Sequence, residues 1–315
     1  MDKSPAHITA AKPARRATGL PTKKACIEAR QRKRFYRAGS LFQQMLYIFR
    51  EAGFEHRYHK VEKTKGGILH VYKGLSPDDK IPTRFPERMI SDERDKHALL
   101  AYHACNDPVT YLYDLMVKVF RGTLGSIREA HIEVHEDLER VVEHMVPEDG
   151  EAQSVVDSSD EEGLIYQHQI VIPKLKNGER YVLDAAGAQY GQYRAVMPYE
   201  SYDQSFVKEN IATLKFGSLL AKLRAAIALA TARDAANDVR LAFVEFMMGE
   251  AVARIVKEWE ASAGSTICEM LDEPHTSYLA SSTALLDFAR SGLIRYVHDS
   301  ELDGTFHFVP PEGIA

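Results

Sequence analysis

The pair Asn177-Gly178, set between two apolar runs, constrains this chain more than any other feature. Asn-Gly between strand-like segments is the strongest short-range signal for a β-hairpin. His168 opens the first run and Asp184 closes the second. Side chains alternate across a strand, so the loop length decides whether these two residues share a face. A two-residue loop would set Asp184 opposite Val171 and turn it away from His168. A three-residue loop, Lys176-Asn177-Gly178, changes the parity. Gly178 then takes the left-handed conformation of a bulged turn and Leu175 pairs with Glu179. Asp184 comes to face Ile170, with His168 its diagonal neighbour, roughly 7–8 Å away at the backbone and within reach. Any chemistry that joins the two requires the bulged turn.

A third residue gives the pair something to act on. Cys105 lies in His103-Ala104-Cys105-Asn106-Asp107-Pro108. After it, Val109, Leu112, Leu115, Met116, Val119 and Phe120 recur at helical spacing up to Gly122. Asp107 suits an N-cap and Pro108 a first helical residue, so the motif predicts a helix start at the thiol. A thiolate is the reactive form of cysteine, and a helix N-terminus and a neighbouring imidazolium favour it. A thiol, a histidine to take its proton and a carboxylate to orient that histidine form the minimal set for thiol acyl transfer. The plainer alternatives are a cysteine packed as a small apolar residue and a histidine satisfied at a strand edge.

Elsewhere the pattern is α+β, with helices packed on a small antiparallel sheet and a helical C-terminal region. Residues 1–24 read as a flexible basic leader, 25–212 as the core holding Cys105, His168 and Asp184, and 213–315 as mainly helical. Helices are expected over 29–52, 92–102 and 281–291. An Ala-rich helical stretch over 214–261 should break near Asn237. Hairpins are expected at 56–72 and, at the end, over 294–309. Between Glu133 and Glu162 stand twelve acidic residues and one basic one, Arg140, so 136–163 reads as an acidic loop. The glycines of Gly187-Ala188-Gln189-Tyr190-Gly191 follow a strand and open no helix. They predict a tight turn rather than a dinucleotide site, with Gln189 a candidate donor to a substrate carbonyl.

At 315 residues and 45% hydrophobic, the chain can bury a full core. No apolar run reaches membrane-span length and the start lacks a secretory signal, so a cytoplasmic protein without membrane association is expected. Three cysteines without a CxxC pair disfavour disulfides and zinc fingers. The pair His131 and His135, and the grouping of His97, His103 and Cys105, give little case for a metal, and no cofactor is expected. The formal charge of −5 hides an asymmetry: the first 37 residues carry eleven Lys or Arg against Asp2 and Glu28. Arg30, Arg32, Lys33, Arg34 and Arg37 are therefore candidates for phosphate contact. A solvated basic tail is the alternative.

Three segments carry a resemblance over roughly residues 29–200: Lys33-Arg34-Phe35-Tyr36-Arg37-Ala38-Gly39, His103-Ala104-Cys105-Asn106-Asp107, and Tyr181-Val182-Leu183-Asp184-Ala185-Ala186-Gly187-Ala188-Gln189-Tyr190-Gly191. Together they resemble a family of fungal proteins associated with MYND zinc fingers, although the finger's cysteine pairs are missing here. That group is similar to fungal arginine-containing cyclodipeptide synthases, which make diketopiperazines from aminoacyl-tRNAs. The Cys–His–Asp order and the helix-then-hairpin layout also resemble the transglutaminase/papain-like fold, including arylamine acetyltransferases. The resemblance implies a thioester at Cys105, with arginyl-tRNA and a second aminoacyl-tRNA as partners and no DNA. Arginine selection would need a carboxylate to receive the guanidinium. Competing readings are a papain-like hydrolase, in which water replaces the amine, and a non-enzymatic interaction module that keeps the fold.

Overall fold

The computed structural model describes residues 22–54, 58–74, 85–146, 153–154, 167–231 and 238–302. Most of the leader, the region around Asn237, residues 147–152 and 155–163 of the expected acidic loop and the last part of the expected terminal hairpin lie outside them. The fold is α+β, with helices arranged around two small sheets.

Helix α1 (Lys23–Ala52) is the spine. The Thr22 side chain caps its start by accepting from the Ala25 amide at 3.2 Å. Its second half is buried almost all round, with Phe35, Ala38, Phe42, Met45 and Phe49 in the core. The three-to-four-residue spacing of these residues sets which face packs. Strands β1 (Tyr58–Lys63) and β2 (Leu69–Gly74) form the expected antiparallel hairpin. Beyond it, β4 (Val141–Val146) pairs in parallel with β2, and β5 (Gln153–Ser154) completes a four-stranded sheet. Residues 141–146 and 153–154 of the expected acidic loop are thus strands. Helices α2 (Glu93–Ala101), α3 (Asp107–Thr110) and α4 (Tyr113–Phe120) pack beside α1.

The second sheet is antiparallel throughout, in the order β8 (Val196–Pro198), β7 (Tyr181–Leu183), β6 (Gln167–Leu175), β3 (Leu124–Val134), β9 (Val207–Lys215). Its β6–β7 hairpin has the bulged register. Val171 faces Leu183, the Leu175 amide donates to the Glu179 carbonyl at 2.8 Å, and Gly178 sits at φ 95°. Only glycine takes that backbone without strain. The face carrying Ile132, Ile170 and Val182 is covered by α5 (Tyr199–Phe206), through Tyr202 and Phe206. The opposite face, with Val171 and Leu183, joins the main core around α1.

Four expectations need correction. Residues 207–215 form β9, so the proposed boundary at 212 falls inside a strand and the helical region begins with α6 (Ser218–Thr231). Glu129 of β3 fixes that start, accepting from the amides of Gly217 at 2.6 Å and Leu219 at 3.1 Å. The second is the 11-residue β3, which was not foreseen. Third, the single helix expected after Pro108 is two, broken at Tyr111 and Leu112. Tyr111 is held there by stacking on Phe49 and by donating to Glu245 at 2.6 Å. Last, beyond α7 (Asp238–Ala263) and α8 (Ile267–Asp272), α9 runs unbroken from His275 to Leu302, through the expected hairpin start. Tyr278, Ser282, Leu285, Ala289, Leu293, Val297 and Ser300, spaced three or four apart, are buried along it. No helix among the described residues is long and apolar enough to cross a membrane.

Candidate active site

Cys105 rides on the turn between α2 and α3. The Tyr102 amide closes α2 on Leu99, and His103 then reverses the chain at φ 58°. It is the one non-glycine residue with positive φ among those described. Such a conformation costs on the order of 1 kcal/mol and persists only where the surroundings enforce it. Here the enforcement is visible: Ala104 is fully buried, its amide bonds Ala101 at 3.1 Å, and the Asp107 amide bonds Ala104 at 3.2 Å. Cys105 remains partly exposed against the main core. The expected cap is shifted by one residue, because Asn106 occupies the N-cap position and Asp107 is already helical. With α3 a single turn of four residues, the helix-terminus field at the thiol is weaker than a full helix would supply.

His168 and Asp184 meet as the bulged register requires. His168 Nε2 lies 2.9 Å from Asp184 Oδ1, with both residues buried. Asp184 is anchored by its amide, which donates to the Ala195 carbonyl at 2.8 Å. Its second oxygen, Oδ2, accepts from the Tyr202 hydroxyl at 2.8 Å. Gly187 closes over the same carboxylate. A Cβ there would collide with Oδ2 and stand 2.9 Å from Cγ, so the turn after Asp184 needs a residue without a side chain. Tyr190 sets its ring edge-on to the imidazole, centroids 5.0 Å apart.

The electrostatics follow from this geometry. Burial alone would lower the His168 pKa, but the Asp184 charge and hydrogen bond oppose it, and Cys105 adds to them. The ring is pushed up to about 10. With Nε2 committed to Asp184, the buried Nδ1 is the nitrogen left to face the thiol. It makes no hydrogen bond. Cys105 is near enough to help hold the ring charged. The Tyr202 and Tyr190 hydroxyls are both held neutral, by burial first. For Tyr202 the Asp184 charge comes next, and for Tyr190 Cys105 and then Asp184. A charged imidazole in a dry site, oriented by a carboxylate and beside a partly exposed thiol, can shuttle a proton to and from that sulfur.

The other sequence candidates fall elsewhere. Gln189 is buried and spends its side-chain amide on the Ala186 carbonyl at 3.1 Å, while its own carbonyl accepts from the Arg140 amide. It supports the turn rather than presenting a donor to an open site. The basic residues of α1 largely serve the end of α8. Arg30 and Arg34 each pair with Asp272 at 3.1 Å, and Lys33 reaches the Glu273 carbonyl at 3.3 Å. Arg37 is buried, donates to the carbonyls of Leu271 at 2.9 Å and Glu273 at 2.7 Å, and stacks on Tyr278. Arg32 pairs with Glu179 at 2.6 Å. Cations at the carbonyl end of a helix answer its unpaired acceptors. No group of three or more His, Cys, Asp or Glu among the described residues is arranged to hold a metal ion.

Tyr202 and Tyr190 escaped the sequence reading. Tyr190 lay inside a motif already singled out, and Tyr202 is brought to Asp184 only by the fold of α5 over the sheet. Comparison with known proteins finds no match to this chain among family profiles, curated proteins or solved structures.

Proposed function

We propose that the protein is a thiol acyltransferase with Cys105 as nucleophile, His168 as proton carrier and Asp184 as the group that orients it. The observation that carries the reading is the buried contact of His168 with Asp184 at 2.9 Å, with Cys105 joining Asp184 in favouring the charged ring. A histidine serving packing alone would need the first partner but no thiol as the second.

The resemblance at residues 33–39, 103–107 and 181–191 narrows the substrate to aminoacyl-tRNA and the product to an arginine-containing cyclic dipeptide. In the first step the Cys105 sulfur attacks the ester carbonyl of arginyl-tRNA. A carbon–sulfur bond forms and the ester carbon–oxygen bond breaks. His168 delivers its proton to the departing ribose oxygen. In the second, the α-amine of another aminoacyl-tRNA attacks the thioester, its proton passing to His168 and the sulfur leaving. The arginyl amine of the resulting dipeptidyl-tRNA then attacks the ester that holds it, closing the ring and freeing the second tRNA. Docking of tRNA would fall to exposed cations such as Arg30, since Arg37 is consumed inside the fold.

Expression in a heterologous host, followed by mass analysis of the medium, tests this reading. Arginine diketopiperazines from the native chain, and none from Cys105→Ala, are expected. Ester or amide cleavage without cyclic product would favour the hydrolase. A Cys105 that reacts no faster than an ordinary thiol would favour an interaction module.

A further inference from the structure

We infer that Arg50 is a positioning residue for the nucleophile, holding the Cys105 turn from both sides; this rests on the thiol acyltransferase reading. Arg50 lies in the last turn of α1 and is 1% exposed. One amino group, Nη2, donates to the Tyr102 carbonyl at 3.3 Å, three residues before Cys105. The other, Nη1, reaches the Asp107 carboxylate at 3.4 Å, two residues after it. Nη1 also stands 3.7 Å from Glu245 of α7, whose second oxygen accepts from Tyr111. The guanidinium therefore grips the entry and exit of the strained turn at His103 and ties both to the spine and to a C-terminal helix.

The chemistry suits positioning better than stability. A buried ion pair is a poor source of stability, because desolvating the charges cancels much of the attraction. What a planar fork supplies is direction, since its donors leave at fixed angles. The turn needs direction. It is short, carries positive φ at His103, and must present one sulfur to a nitrogen that cannot move to meet it. His168 is fixed by Asp184, and Asp184 by Tyr202. The placement of the thiol is left to its turn, and Arg50 ties that turn at both ends.

Arg50→Lys separates this role from charge, because it keeps the cation and loses the fork. The measurement is the rate of Cys105 alkylation by iodoacetamide against pH, with thermal unfolding alongside. A folded variant should lose at least tenfold in rate at pH 6, and its profile should move toward that of an ordinary thiol. Asp107→Asn is the second variant. Removing a nearby negative charge should by itself ease thiolate formation, so a slower rate there reports loss of position and not of field. Wild-type rate and profile in either folded variant would overturn the assignment. Failure of both variants to fold would also overturn it, placing Arg50 among residues that act through stability alone. The acyltransferase reading is judged separately, by whether His168→Ala changes the alkylation profile of an otherwise native chain.

Discussion

Asp184→Asn gives the sharpest test of the site. The substitution preserves shape but removes the charge that, with Cys105, lifts His168 from an ordinary 6.5 to about 10. That rise corresponds to about 5 kcal/mol of preference for the charged ring, most of it from Asp184. Without it, burial dominates and the ring falls below its ordinary value. The effect on alkylation has a lower ceiling. An ordinary thiol is roughly 0.3 per cent ionised at pH 6, so losing the imidazolium slows alkylation by at most roughly 300-fold. A loss between about 10-fold and 300-fold at pH 6, shrinking as pH approaches 9, is expected. Stability should follow with a definite sign. In the native protein the folded pKa of His168 is raised, so its contribution is complete below about 6.5 and disappears as pH climbs through about 10. In the variant the folded pKa is depressed, so burial of the neutral ring costs stability as pH falls. The difference in unfolding free energy between the two should therefore widen from pH 10 down to pH 6. Identical alkylation profiles for both proteins, each like an ordinary thiol, would refute the reasoning.

Tyr202→Phe should leave Asp184 Oδ2 without its hydroxyl donor, at a cost of about 1–3 kcal/mol in denaturant unfolding; acyl transfer should fall while substrate affinity holds, and unchanged turnover would remove Tyr202 from the site. Gly187→Ala forces a Cβ onto the Asp184 carboxylate and to 3.0 Å from the Gln192 carbonyl. A loss of about 1–3 kcal/mol, with activity lost as well, is the expected result, and a neutral substitution would mean that the turn can shift freely. Arg37→Ala should lower the melting temperature by stranding two carbonyls at the end of α8. Arg30→Glu, at an exposed pair, should barely change it. If Arg30→Glu leaves salt-dependent tRNA affinity intact, that end of α1 is excluded as the docking surface.

The site was legible where short-range rules govern. The parity between His168 and Asp184, the bulge at Gly178 and the Leu175–Glu179 pairing all follow from loop length and strand alternation. They could be read before any fold was known. Local rules failed where a distant strand decides. Residues 207–215 lead into an Ala-rich stretch and read as a lead-in to helix, yet the open edge of β3 recruits them as β9. Around 294–302 the error ran the other way. Ile294, Tyr296 and His298 alternate like a strand, whereas the buried apolar residues there are Leu293 and Val297, one helical turn apart.

The basic segment shows why composition misleads most. Eleven cations in 37 residues imply a polyanion only if those charges face solvent. Four of the five that seemed best placed lie on α1 against the end of α8, paired with Asp272 or the terminal carbonyls, and of these Arg30 and Lys33 alone stay exposed. A helix that ends beside the spine needs cations there whatever the protein does, so the same residues would be retained in an enzyme or in an interaction module. The dyad is harder to account for by packing alone. A wholly buried imidazole with its charge reinforced by a carboxylate is costly to assemble. Placing a partly exposed thiol on a strained turn beside it adds to that cost without adding to packing. Two costs at one point, each removable by a single substitution, are what the proposed acyltransferase would require there, and their removal is what the substitutions at Cys105 and Asp184 test.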